Sequence, residues 1–182
     1  MKSLLTTALC ALIVVSTCAS VLANGNGLDG KNELMTAGSW MSMDSGSGDV
    51  TISLLGADAG RFINSNTQLR VDYIEAHLDY GIYSADARMV APSLAYHFIS
   101  PDKPTSLVPY AGAGIAFSDV EMFGRSDSTV QPQYFAGIKL FIGGNSATSD
   151  KTIFFEYRRT KIEFDSMSQD LDTVWGGVSV LF

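Results

Sequence analysis

Thr173–Phe182 reads TVWGGVSVLF, and its alternation decides how this chain folds. Val174, Gly176, Val178, Val180 and Phe182 fall on one face of an extended strand, and Trp175, Gly177 and Ser179 on the other. Successive side chains of a strand point to opposite sides of a sheet, so a period of two assigns each set to one side. The segment predicts a strand with one apolar face that ends on an aromatic.

The same pattern recurs upstream. In Gln133–Ile142, Tyr134, Ala136, Ile138, Leu140 and Ile142 oppose Gln133, Gly137 and Lys139. Thr152–Phe164 sets Ile153, Phe155 and Tyr157 against Glu156, Arg158 and Thr160. Arg88–Phe98 sets Val90, Pro92, Leu94, Tyr96 and Phe98 against Met89, Ala91, Ser93, Ala95 and His97. Four weaker segments complete the set: Glu33–Met43, Val50–Phe62, Gln68–Leu78 and Pro109–Ser118. In the third of these, Leu69, Val71 and Tyr73 alternate with Arg70 and Asp72, but Glu75 and His77 then follow Tyr73 onto the apolar face. A charge facing lipid is costly. The segment therefore either bulges near Ile74 or leaves the membrane early.

Segments of this length separated by Gly, Ser, Asn, Asp and Pro clusters are the pattern of an all-β, antiparallel, up-and-down transmembrane barrel of about eight strands. Outer loops are expected at Asp44–Asp49, Asp79–Ala87, Asp119–Thr129 and Asp165–Asp172. Inner turns are expected at Asn64–Thr67, Ser100–Val108 and Gly143–Lys151, with both chain ends on the inner side. Aromatics near segment ends (Phe62, Tyr96, Phe98, Phe117, Tyr134 and Phe182) suit the two interfacial girdles of such a barrel. A soluble lipocalin-type barrel is the competing architecture, in which the apolar faces would point inward.

The first residues address the compartment. Met1-Lys2 is a basic start, Leu4 to Val15 is apolar, and Val21-Leu22-Ala23 ends on a small residue. That order predicts a secretory signal peptide over 1–23, leaving 24–182 as the barrel. Ser16, Thr17 and Ser20 interrupt the apolar run too early for an uncleaved anchor. Thr17 before Cys18 departs from a lipoprotein processing site. Both cysteines, Cys10 and Cys18, lie in the leader, so no disulfide or thiol chemistry is expected in the mature chain. After Ala23 no apolar stretch reaches the ~18–20 residues of a spanning helix. The net charge of -7, with 12 Lys+Arg against 19 Asp+Glu, argues against nucleic acid as a partner.

The closing VWGGVSVLF resembles the C-terminal strand that the barrel-assembly machinery recognises in outer-membrane proteins, with Phe182, Val180 and Val178 as the assembly signal. PYAGAGIAF (Pro109–Phe117) and FFEYRRTKIEFD (Phe154–Asp165) resemble strands of the OmpA-like small-barrel family, which includes OmpX- and opacity-type proteins. The resemblance spans nearly all of the mature chain. It implies an eight-stranded outer-membrane barrel, monomeric, with outer-membrane lipids and lipopolysaccharide around it. The function expected of such a barrel is a structural or surface-interaction role carried by its outer loops, where a host or surface ligand would be met. No peptidoglycan-binding domain is expected after the last strand.

An eight-stranded barrel is filled by its own side chains. Arg70, Asp72, Lys139, Glu156 and Arg158 share the inward phase and are the candidates for an internal charge network, since buried charges persist only when paired. A structural plug is the plainer role for such a network, and a narrow solute channel the sharper one. Catalysis needs a base, and the mature chain offers only His77 and His97. His77, near the outer rim with Glu75 and Asp79, is the better base for a lipid-modifying enzyme. His97 faces inward near an inner turn, where a structural histidine fits. Ser93 shares its face but lies too far along the strand for a Ser–His pair. The acidic loop residues Asp44, Asp49, Asp119, Glu121, Asp127, Asp165, Asp170 and Asp172 lack EF-hand spacing, so no metal or cofactor is assigned. Gly112 and Gly114 sit within a strand and do not form a phosphate loop; close packing or curvature explains them.

Overall fold

The computed structural model describes residues 28–44, 49–80, 83–100, 103–122, 125–164 and 167–182. The leader expected over 1–23 lies outside the described residues. The strands are β1 (Asn32–Asp44), β2 (Asp49–Phe62), β3 (Thr67–Tyr80), β4 (Tyr83–His97), β5 (Leu107–Met122), β6 (Arg125–Phe141), β7 (Lys151–Phe164) and β8 (Met167–Leu181). Each pairs antiparallel with the next, and β1 pairs with β8, so the sheet closes into a barrel. Closure leaves no edge where the ring is complete.

The faces fall as a membrane barrel requires. Val178, Val180, Ile138 and Leu140 are 55%, 48%, 41% and 45% exposed, while Lys139 and Glu156 are 1% and 2% exposed. A soluble barrel of lipocalin type would show the reverse. Along β6 and the residue that follows it, the outward positions are Val130, Pro132, Tyr134, Ala136, Ile138, Leu140 and Ile142, with no charge among them. Twelve residue steps rise roughly 40 Å along a strand, or about 30 Å after a tilt of about 40°. That covers the ~25 Å apolar band of a membrane barrel.

Where the band ends, charges begin. Glu75 and Arg88 pair at 3.5 Å across β3 and β4, and Arg159 Nε meets Asp172 Oδ1 at 2.7 Å across β7 and β8. Tyr73 and Tyr157 stand at this border and donate their hydroxyls to Glu75 at 2.6 Å and Asp172 at 2.7 Å. A ring turned to acyl chains with a hydroxyl turned to the polar rim is the interfacial use of tyrosine. β3 reaches this border with unbroken register to β2 and β4, so there is no bulge near Ile74. Glu75, His77 and Asp79 keep the outward phase because the strand has already left the apolar band.

The first outer loop falls where expected, between the strand ends Asp44 and Asp49, whereas the other three differ from their expected extent. In those three, strand pairing runs on through Asp79, Tyr80 and Tyr83 to Ala87, through Asp119 to Met122 and Arg125 to Thr129, and through Met167 to Asp172, and the residues between lie outside the described ones. Beyond lipid both faces of a strand can be polar, so hydropathy alternation fades while backbone pairing continues. The rim is nevertheless incomplete. β1 pairs with β8 only over Glu33–Gly38, and β6 with β7 only over Gln133–Phe141. Above those points the β7–β8 hairpin is paired only within itself among the described ladders.

Packing at the strand crossings uses glycine twice over. A Cβ on Gly112 would meet the ring of Phe135 and the carbonyl of Leu94, and one on Gly177 would meet the carbonyl of Thr36 and the ring of Phe154. Both positions let a ring lie flat against the inner wall.

Candidate functional site: the barrel lumen

The lumen is layered from the end that carries Leu28 and Phe182. Leu28, just before β1, tucks inside with Phe62, Val108, Phe141 and Leu181, with Ile99 packed against them, and closes this end with apolar contacts; Phe62, expected in an interfacial girdle, instead has the inward phase of β2. The next layer centres on Glu33 of β1. Its Oε2 accepts from Lys139 Nζ of β6 at 2.5 Å and from Gln68 Nε2 of β3 at 2.7 Å, and its Oε1 accepts from Ser179 of β8 at 2.6 Å. Lys139 also lies over the rings of Phe62 and Tyr110. His97 stacks on Tyr110 at 5.2 Å and hydrogen-bonds through Nε2 to Gln68 at 3.1 Å, a fully buried structural place.

Tyr110 joins this layer to the one above by donating to Glu156 Oε2 at 3.0 Å. There Arg70 is the hub. It reaches Asp58 at 3.0 Å, Asp72 at 3.0 Å and Glu156 at 2.9 Å, and its guanidinium sits 4.7 Å above the Phe135 ring. Arg158 meets Glu156 at 2.7 Å and Asp72 at 3.4 Å. Ser93 and Gln133 donate to the remaining oxygen of Asp72 at 3.3 and 3.1 Å. All five residues chosen from inward phase, Arg70, Asp72, Lys139, Glu156 and Arg158, therefore lie in the lumen and touch opposite charges. They form two clusters bridged by Tyr110.

Sequence reasoning missed Glu33, Asp58, Tyr110, Gln68 and Gln133. A signal existed for the two acids: each is the lone acidic residue on the inward phase of its strand, Glu33 with Met35 and Asp58 with Gly56, Gly60 and Phe62.

His77 is outward, at the rim. Register places Ser53 of β2 beside it on one side and Asp86 of β4 on the other, so the three side-chain types of a hydrolytic triad lie in a row. A groove of about 210 Å³ runs along Ser53, Leu55, Glu75, His77, Asp86 and Arg88. However, Nδ1 bonds to Asp86 at 2.6 Å and Nε2 faces Asp79 at 3.2 Å. No nitrogen is left to take a proton from serine. The hydrogen bond to Asp86, then the charge of Asp79, raise the pKa of His77 above its ordinary value. On the other side of the rim, hydrogen bonds from Arg159 and then Tyr157 hold Asp172 down at about 2. Among the described residues no group of His, Cys, Asp and Glu is arranged to hold a metal ion.

No protein-family model matches this sequence, and no curated protein matches it. Solved structures do match the fold. The crystal structure of Neisserial surface protein A (NspA) superposes with a TM-score of 0.65 at 17% identity, covering 84% of this chain and 97% of that one. The N-terminal β-barrel domain of Pseudomonas aeruginosa OprF gives a TM-score of 0.57 at 16% identity, over 85% of this chain and 98% of that one. At such identities the likeness is one of fold. With the outward apolar band it defines the class: this chain is a small eight-stranded transmembrane β-barrel.

Proposed function

We propose that this chain is a closed, non-catalytic barrel of the outer membrane, whose lumen network is a structural plug and whose rim is the surface offered to the outside. The observation that carries this reading is the ion-paired lumen. Every charged group in it meets an opposite charge within 3.4 Å, and the two clusters reach across the bore from β1, β2 and β3 to β6 and β7. Filling a narrow bore with fixed, mutually bonded groups leaves no continuous water path. The interaction role expected of outer loops passes to the extended strand ends, which carry Glu75, His77, Asp79, Asp86, Arg88, Arg159 and Asp172 above the apolar band. Lipid and lipopolysaccharide surround the band, the protein is a monomer, and Phe182, Val180 and Val178 serve recognition by the assembly machinery.

The test combines membrane fractionation, heat-modifiable migration on unboiled gels and planar-bilayer recording. The expected result is an outer-membrane, heat-modifiable and electrically silent protein; steady single-channel steps would replace the plug by a channel. A second reading, a lipid-ester hydrolase, rests on the row Ser53–His77–Asp86. A fluorophosphonate probe decides between them: no labelling is expected, and labelling lost in Ser53→Ala would install the enzyme.

A further inference from the structure

Above the charge network the lumen changes character. A partly open cavity of about 40 Å³ lies between Arg158 below and the rim above. Its walls are Leu54, Ile74, Ala76, Met89, Val120 and Trp175, one or more from each of five strands. Five polar residues also line it: Arg88, which pairs with Glu75; Thr173, whose hydroxyl is bonded to Trp175 Nε1 and the Arg158 carbonyl; and Arg158, Thr160 and Ser118. Thr160 is 3% exposed and Ser118 5%, and neither hydroxyl has a hydrogen-bond partner. Arg158, bound to carboxylates through its other nitrogens, leaves Nη1 unpartnered as well. Buried polar groups are nearly always satisfied, so three orphans at the floor of one apolar cavity call for an occupant.

We propose that this cavity is a binding site for a small uncharged amphiphile, with one hydrogen-bonding oxygen seated against Arg158, Thr160 and Ser118 and a short apolar body against Trp175, Met89 and Leu54. Charge decides the class. In the cluster beneath the floor both guanidiniums, Arg70 and Arg158, are already engaged by an excess of carboxyl groups, Asp58, Asp72 and Glu156. A carboxylate head would add to that excess in a poorly hydrated place. An ammonium head would meet the free N–H of Arg158, a donor facing a donor. A hydroxyl or carbonyl oxygen accepts from Nη1 without adding charge, and an alcohol also donates to Thr160 or Ser118. Size limits the ligand: at ~10–15 Å³ per water in this measure, the deep part holds about three such atoms, and the remainder of the ligand points to the open side.

The test uses the refolded barrel in lipid nanodiscs with 13C-methyl methionine, and three probes of equal chain length: 1-butanol, butyrate and butylammonium at pH 7. Met89 reports from the cavity wall, and Met89→Leu identifies its methyl signal. Saturable shifts and nuclear Overhauser contacts between butanol and that methyl are expected, at least tenfold weaker for the two ions. Thr160→Val should weaken butanol several-fold, since one neutral hydrogen bond is lost. Ala76→Leu should abolish binding by filling the cavity, with unchanged heat-modifiable migration to show that the barrel is intact. A linear, non-saturating response, equal responses from all three heads, or undiminished binding in Ala76→Leu would each overturn the site and leave water as the occupant.

Discussion

Below Arg158 the lumen is filled by ion pairs and the hydrogen bonds that hold them; above it the walls turn apolar and the hydroxyls of Ser118 and Thr160 have no partner. The lower part sits where all eight strands are laced together, including β1 to β8 and β6 to β7. The upper part sits where those two ladders have ended. The difference teaches where a small barrel places its rigidity. Within the band, any strand separation would expose backbone groups to lipid, so the ring must be complete and the bore must be packed. Beyond it water can satisfy the backbone, and the ring is free to open.

Arg70→Ala attacks the lower half and has the largest expected effect. It leaves Asp58, Asp72 and Glu156 with one guanidinium among them, and removing one partner of a buried ionic cluster costs about 3–5 kcal/mol. Urea unfolding in vesicles measures it, and a loss below about 1 kcal/mol would mean that the network does not hold the plug. Val178→Arg tests the wall around that half. A cation on the lipid face should cost about 2–4 kcal/mol in the same unfolding experiment, whereas Val178→Leu should be neutral. A tolerated arginine would put this face in water.

The upper half predicts the opposite sign. Thr160→Val removes an unpartnered buried hydroxyl and keeps the shape, so stability should stay the same or rise by up to about 1 kcal/mol. A clear loss would reveal a hydrogen bond at Thr160 and blur the contrast between the halves. The smallest effect lies at the rim. His77 has a raised pKa in the folded barrel, so its ion pairs stabilise fully below the unfolded value near 6.5. That contribution fades as pH rises through the folded value. Comparing unfolding midpoints of the parent and His77→Gln from pH 5 to 9 should show a gap at low pH that closes at high pH and shrinks with salt. A gap that widened with pH would contradict the pairing with Asp79 and Asp86.

The strand count and the inward and outward faces of the best-patterned strands were legible in the order of residues, because each follows from local alternation and run length. Inward phase likewise singled out Arg70, Asp72, Lys139, Glu156 and Arg158. The extent of the rim was not legible: past the band, water accepts either face, and polar strands such as Ser84–Arg88 read like loops. Nor was the identity of the partners. Glu33 meets Lys139 across 106 positions and Arg70 meets Glu156 across 86. Which inward side chains meet depends on the tilt and stagger with which the ring closes. Those are properties of the whole barrel, fixed by every strand pairing at once. Sequence by itself determined which side chains enter the lumen; only closure decided which of them touch, and which hydroxyls above Arg158 are left without a partner.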